Sequence, residues 1–248
     1  MVPLIETLTP FLAQRYAYLQ ARIAQLSPYP HRVTCLAVTK YLPASLIPQV
    51  WESGILHLGE NRVQDACSKW EILAQKGHTP PAQSSWELIG TLQKNKLNKL
   101  LQSPWQVRRI QSLDSLELAQ VLHQKVCVSG FTMPLPVLCQ VNITQEPSKH
   151  GFTPETLYAQ WEALQACRML RIEGLMTILP LGCSPERQAA WFHAMNMLRT
   201  RLIPLSDTPL ETLSMGMSQD WEEALKHGAS CIRLGRWLYE PEAPPVLV

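Results

Sequence analysis

Lys40 closes an apolar run, Val33-Thr34-Cys35-Leu36-Ala37-Val38-Thr39-Lys40, and the proline-bearing stretch Tyr41-Leu42-Pro43 follows it. A lysine at the carboxyl end of a buried strand stands where barrel and open α/β folds put their chemistry. Burial there disfavours the ammonium form and leaves a free amine able to attack an aldehyde. The plain alternative is a strand-end lysine that points into water, as most lysines do. A second group lies near the other end of the chain. Arg233 precedes Gly235 by two residues, so the two face one side of a strand. An arginine aimed into a barrel mouth needs an acceptor. That acceptor is either a carboxylate or the ring nitrogen of a pyridine cofactor, whose protonation the fixed charge would oppose.

Two further stretches have the chemistry of an anion site. Gly216-Met217-Ser218 runs into a helix start, and Gly235-Arg236 opens the last short helix. Barrels bind phosphate with the loops after strands seven and eight, and glycine lets backbone N–H groups come close. Either glycine could instead serve only a turn. His57, His78, His123, His193 and His227 have no ligand spacing and most of them read as solvated, while His150, in a loop motif, is the one histidine worth testing. Lys94, Lys96 and Lys99 read as a solvated helix face, and Trp86, Trp161, Trp191 and Trp221 as packing residues.

The elements that must position these groups follow from the hydrophobic pattern. Eight short apolar runs, at 33–40, 55–59, 85–90, 107–113, 135–142, 170–177, 211–217 and 231–235, have the character of strands buried on both faces. Helical segments separate them. Leu42–Ser53, Asn61–Lys76 and Gln93–Gln102 follow the first three runs, and Asp114 is placed to cap Asp114–Lys125. Thr153-Pro154-Glu155 and Ser184-Pro185-Glu186 each offer a cap, a proline at the first helical position and an acid in the first turn. Ser218 begins another acid-rich helix start, and Leu4–Leu26 makes one long amphipathic helix before the first strand. This alternation predicts a single (β/α)8 TIM barrel, with a doubly wound open sheet, usually of fewer strands, as the alternative: an N-terminal helix over 1–30, the barrel over 31–240 and a proline-rich tail over 241–248. No G-x-G-x-x-G follows a strand, which argues against a Rossmann dinucleotide site.

Composition bounds the rest. A chain of 248 residues with 46% hydrophobic content has material for a large core. A net charge of +2 argues against a nucleic-acid binder driven by bulk electrostatics. The seven cysteines contain no C-x-x-C pair, and Cys35, Cys139 and Cys231 sit inside apolar runs as small hydrophobes. No metal site is expected, and the cysteine usage fits a reducing compartment. The N-terminus does not read as a secretory signal and no run is long enough to span a bilayer, so a cytoplasmic protein without membrane contact is expected.

Taken in order, the stretches Ala37–Lys40, Leu58–Gln64, Trp86–Lys96, Gln140–Asn142 with Ser148–Gly151, Gly174–Met176, Leu213–Ser218 and Arg233–Gly235 resemble the pyridoxal phosphate homeostasis protein family over nearly the whole chain. The Arg233–Tyr239 ending looks like its cyanobacterial branch. The resemblance implies a fold-type III barrel, like the N-terminal domain of alanine racemase, that binds pyridoxal 5′-phosphate. It implies Lys40 as the Schiff-base lysine and Arg233 near the pyridine nitrogen. Ser214, Met217, Ser218, Gly235 and Arg236 would hold the phosphate, and Asn61 and Met176 would line the ring. No residue is implied as catalytic. Such members look like carriers or regulators of the cofactor and of amino-acid and keto-acid pools, with pyridoxal phosphate-dependent apoenzymes as partners; a monomer is expected. A weak amino-acid racemase is the alternative. It needs a second base facing Lys40, and the sequence places none of Tyr41, Tyr158 or Tyr239 there. A Schiff-base aldolase would need carboxylates beside the amine, and only Glu60 is a candidate.

Overall fold

The computed structural model describes residues 8–147 and 149–240. Ser148, the first residues of the expected Leu4–Leu26 helix and the proline-rich tail lie outside the described residues. Eight parallel strands, β1 (Thr34–Val38), β2 (His57–Glu60), β3 (Ser85–Leu88), β4 (Arg109–Leu113), β5 (Leu135–Gln140), β6 (Leu170–Met176), β7 (Thr212–Ser214) and β8 (Cys231–Leu234), pair in sequence order. The register Thr34↔Cys231 through Ala37↔Leu234 joins β8 to β1 and closes the barrel. The expected barrel is therefore the fold, and all eight expected runs hold a strand. Their ends differ: β1 stops at Val38, which leaves Lys40 in the connecting turn.

The helices α1 (Leu8–Leu26), α2 (Ile47–Glu52), α3 (Val63–Gln75), α4 (Leu97–Leu101), α5 (Leu116–Val128), α6 (Pro154–Ala159), α7 (Trp161–Gln165), α8 (Pro185–Leu202), α9 (Trp221–Lys226) and α10 (Arg236–Tyr239) surround the strands. α1 packs through Leu8, Leu12, Leu19 and Ile23, all buried, against α2, α9 and α10. Thr153 caps α6 as its sequence promised, its hydroxyl accepting the Thr156 N–H at 3.1 Å. At α5 the cap is Ser115, not Asp114: the Ser115 hydroxyl accepts from Leu118 N and also meets the Asp114 carboxylate. The stretch expected as one helix over 42–53 splits into a 3₁₀ turn, Ala44–Leu46, and α2, whose second residue is Pro48. A proline is tolerated only in the first turn of a helix, so Pro48 keeps the start of α2 within a turn of itself.

The strands carry more than apolar side chains. Glu87, Arg109, Gln111, Ser214 and Arg233 are all buried. Gln111 on β4 meets Ser214 on β7, which is three strands away around the closed barrel. Such a contact is possible only across the barrel lumen, so part of the interior is polar where a branched aliphatic packing is usual. Expected core roles otherwise hold. Cys35, Cys139 and Cys231 are buried, all seven cysteines are free, and Trp86, Trp161 and Trp221 are at most 3% exposed. His57 departs from the solvated expectation: it is half-buried and shares a 2.8 Å hydrogen bond with Ser85. The His123 ring likewise accepts the Met169 N–H.

Candidate functional site

β1 delivers Lys40 to the carboxyl-terminal mouth of the barrel, and the backbone just before it is held from two sides. Lys69 on α3 reaches inward and donates to the Thr39 carbonyl and to Glu60 Oε1, each at 2.6 Å. The Thr39 hydroxyl donates to the same carboxylate oxygen at 2.6 Å. Leu42 N closes the turn onto Thr39 O. Glu60 is fully buried, and the ammonium of Lys69 is its charge partner. Lys40 itself is half-buried, and its Nζ lies 4.9 Å from the ring centroid of Tyr41, a cation–π distance.

The mouth contains a cavity of about 550 Å³. Val38, Lys40, Tyr41 and Leu42 form one wall, and Leu179–Gly182 another. Met217–Asp220 from the loop after β7, with Arg233, Gly235, Arg236 and Tyr239, complete it. Six of the nine residues singled out from sequence therefore share one cavity: Lys40, Met217, Ser218, Arg233, Gly235 and Arg236. Ser214 lies below it, fully buried, donating to Gln111 Oε1 at 2.6 Å and accepting from Arg233 Nη1 at 2.5 Å. Met176 is buried in β6, paired in register with Ser214. Asn61 lines a different hollow of about 650 Å³, with Arg62, Gln64, Thr91, Gln93 and Lys96. His150 is exposed beside Asp114 and lines neither hollow.

Arg233 is the fixed cation of the site. Its Nη2 donates to Thr177 O at 2.7 Å, in addition to the Ser214 bond. Burial lowers its pKa, and the neighbouring Cys231, Asp220 and Glu87 oppose that effect. The loop after β7 is shaped by Gly216, whose φ is +94°. A Cβ there would stand 2.7 Å from Ala224 Cβ and 2.9 Å from Trp221 Cα, so only glycine lets β7 turn straight onto α9. Gly216 O in turn accepts the Arg233 N–H, tying this turn to β8. Asp220 Oδ1 accepts the Met217 N–H at 2.6 Å, and burial raises the pKa of its carboxyl. The Trp237 N–H donates to Ser218 Oγ. Tyr239 is buried with its hydroxyl unpartnered among the described residues, and burial raises its pKa too.

Sequence reasoning missed Lys69, Asp220, Glu87 and Gln111. The last two had a signal: a charged or amide residue inside an otherwise apolar strand, two positions from another polar one, marks one face as polar. Lys69 had none, because a lysine on an amphipathic helix reads as solvated.

The arrangement offers an amine, a rigid guanidinium at the adjoining strand and a glycine where space is left free. A Cβ on Gly235 would meet only Val38, at 3.5 Å and beyond, so packing within the protein does not demand glycine there. Arg233 and Arg236 supply positive charge to the same cavity that Lys40 lines. Among the described residues no helix is long and apolar enough to cross a membrane, and no cluster of three or more His, Cys, Asp or Glu residues could hold a metal ion.

The family described as alanine racemase, N-terminal domain, matches residues 17–242. The pyridoxal phosphate homeostasis protein of Synechocystis sp. is 35% identical over 214 residues, covering 86% of this chain and 94% of that protein. PipY of Synechococcus elongatus, solved without pyridoxal phosphate, superposes with a TM-score of 0.80 at 34% identity, covering 92% of this chain and 99% of that one. Its form with pyridoxal phosphate bound gives 0.78 at 32% identity over the same shares.

Proposed function

The chain belongs to the pyridoxal phosphate homeostasis protein family, and we propose that it binds pyridoxal 5′-phosphate in the cavity at the mouth of its barrel. The observation that carries this reading is that Lys40 and Arg233, far apart in sequence, line one cavity of about 550 Å³. When bound, pyridoxal phosphate supplies an electrophilic aldehyde and a pyridine ring that can accept electron density. Lys40 Nζ is the amine that bonds to it. Arg233, a donor-only cation fixed by Ser214 and Thr177, opposes protonation of a ring nitrogen placed beside it. That weakens the ring as an electron acceptor and favours holding the cofactor over turning substrates over with it. Arg236 and the 217–218 loop receive the phosphate. Ser214 acts one step back, as the seat of Arg233, and Asn61 and Met176 stand outside the cavity wall.

The physiological role that fits is custody of the cofactor within the cell: a monomer that carries pyridoxal phosphate, hands it to apoenzymes that need it, and so bears on amino-acid and keto-acid pools. An amino-acid racemase is the second reading, favoured by one observation: Tyr239, whose buried hydroxyl has no partner among the described residues, is one of the residues that line the same cavity. The raised pKa keeps that phenol protonated, so it has no free phenolate to take a proton, which ranks this reading lower.

The deciding experiment adds pyridoxal phosphate to wild type and to Lys40→Ala and records absorbance before and after borohydride. A visible band that borohydride removes, and that the variant lacks, is the expected result. No band in wild type would refute the cofactor reading. Racemisation of alanine at enzymatic rates by the loaded protein would replace custody with catalysis.

A further inference from the structure

A line of hydrogen bonds runs through the lumen from the amino-terminal end of the barrel to the cavity. Arg109 donates to Glu87 Oε2 through Nε at 2.9 Å and to Oε1 through Nη2 at 3.0 Å. Gln111 Nε2 donates to Glu87 Oε2 at 2.6 Å. Ser214 Oγ donates to Gln111 Oε1 at 2.6 Å, and Arg233 Nη1 donates to Ser214 Oγ at 2.5 Å. Each member is at most 5% exposed.

The direction of this line has only one consistent solution. Glu87 can only accept while ionised. Burial pushes its pKa up, but the Arg109 charge and the hydrogen bonds from Arg109 and Gln111 together outweigh that and hold it below the usual range. An ionised Glu87 therefore demands the amide nitrogen of Gln111, which turns the amide oxygen toward β7. That oxygen demands a donor, so Ser214 must commit its single proton there. Ser214 is then left with lone pairs only, and these face Arg233. No member can rotate without leaving a buried polar group unpaired, which is costly in a dry lumen. A barrel interior can be filled more cheaply with branched aliphatic side chains. At its upper end the polar line reaches the cation of the cavity.

We propose that Gln111 is a positioning residue for the site: from beneath the cavity, through Ser214, it fixes the Arg233 guanidinium and thereby sets how tightly a pyridine ligand is held. This rests on the pyridoxal phosphate reading above. Gln111 lines neither hollow, so its effect on a ligand is indirect; the side-chain route to the cavity runs through Ser214 to Arg233, and its other neighbour toward β8 is Cys231 Sγ at 3.6 Å.

The test is a double-mutant cycle read by titration with pyridoxal phosphate, following the dissociation constant and the position of the bound-cofactor band, with a thermal midpoint for each protein. Gln111→Leu should weaken binding about tenfold, equivalent to about 1.4 kcal/mol, and move the band. In an Arg233→Gln background the same change should alter binding less than about twofold, because the residue it positions is gone. A purely structural Gln111 would lower the thermal midpoint and leave the wild-type band and dissociation constant unmoved, or would weaken both backgrounds equally; either overturns the proposal. If Gln111→Leu does not fold, Ser214→Ala cuts the same link with a smaller change in volume and is judged by the same two outcomes. Wild type that takes up no pyridoxal phosphate would sink the functional reading, and this proposal with it. A wild type that binds normally beside an unresponsive Gln111→Leu sinks the proposal alone.

Discussion

At the scale of single residues the site is governed by buried charge. Lys69 and Glu60 form an ion pair with 2.6 Å between them, and Glu60 is wholly out of water. Removing one partner of such a pair leaves an uncompensated charge, while removing both is far milder. Lys69→Met should cost about 3–5 kcal/mol in a urea melt, and Lys69→Met with Glu60→Gln should recover most of that. Asp220 is the opposite case. Burial raises its pKa, so ionising this carboxyl is harder in the folded protein than in the unfolded chain. Above that raised pKa the charge costs stability; as pH falls through it toward the ordinary aspartate value the cost disappears. Asp220→Asn keeps an oxygen for the Met217 N–H and removes the charge. It should raise the melting temperature at neutral pH by about 2 °C, lose that advantage in acid, and tighten phosphate-bearing ligands at neutral pH. An unchanged melting temperature across pH would contradict this. Lys40 and Arg233 could be singled out from their neighbours in sequence, whereas Asp220 could not, since it reads as one of several acids at a helix start.

At the scale of elements, what places the site is how each strand ends. β7 can turn onto α9 only through the positive φ of Gly216, with Ala224 and Trp221 filling the space a Cβ would need. Gly216→Ala should lower stability by about 2 kcal/mol or more and weaken pyridoxal phosphate binding as well, because the Met217–Ser218 loop must move. Thr153→Ala is the matched contrast. It removes a helix cap worth about 1 kcal/mol, and Thr153 does not line the cavity. Calorimetry and ligand titration on the two proteins should show stability loss in both and affinity loss only in Gly216→Ala. The strands and the Thr153 cap were legible because periodicity and capping are local. The transfer of a cap from Asp114 to Ser115 was not, because neighbouring residues compete for one role and packing chooses between them; the split before α2 was written locally, in Pro48.

At the scale of the whole molecule, closure of β8 onto β1 brings Arg233 beside Leu36 in register and so puts the guanidinium on the strand next to Lys40. α1 covers α2, α9 and α10 at the same time, tying elements before β2 to elements on either side of β8. Leu19→Ala should cost about 2–5 kcal/mol in a single cooperative urea transition while leaving the bound-cofactor band in place. A separate early transition for α1 would show that the helix is an independent unit. By itself the sequence determined the barrel, the order of its strands, and Lys40, Met217, Ser218, Arg233, Gly235 and Arg236 as residues of its mouth. These follow from short apolar runs alternating with helical segments, and from the rule that strand ends carry the chemistry. Only the tertiary structure decided that Ser214 sits beneath the cavity, that Asn61 opens onto another hollow, and that Glu87, Gln111 and Arg109 cross the lumen to reach Arg233. Alternation along a strand tells which residues face the same side. It does not tell which residues of β3, β4, β7 and β8 stand at one height, because that depends on the stagger of strands around a closed barrel.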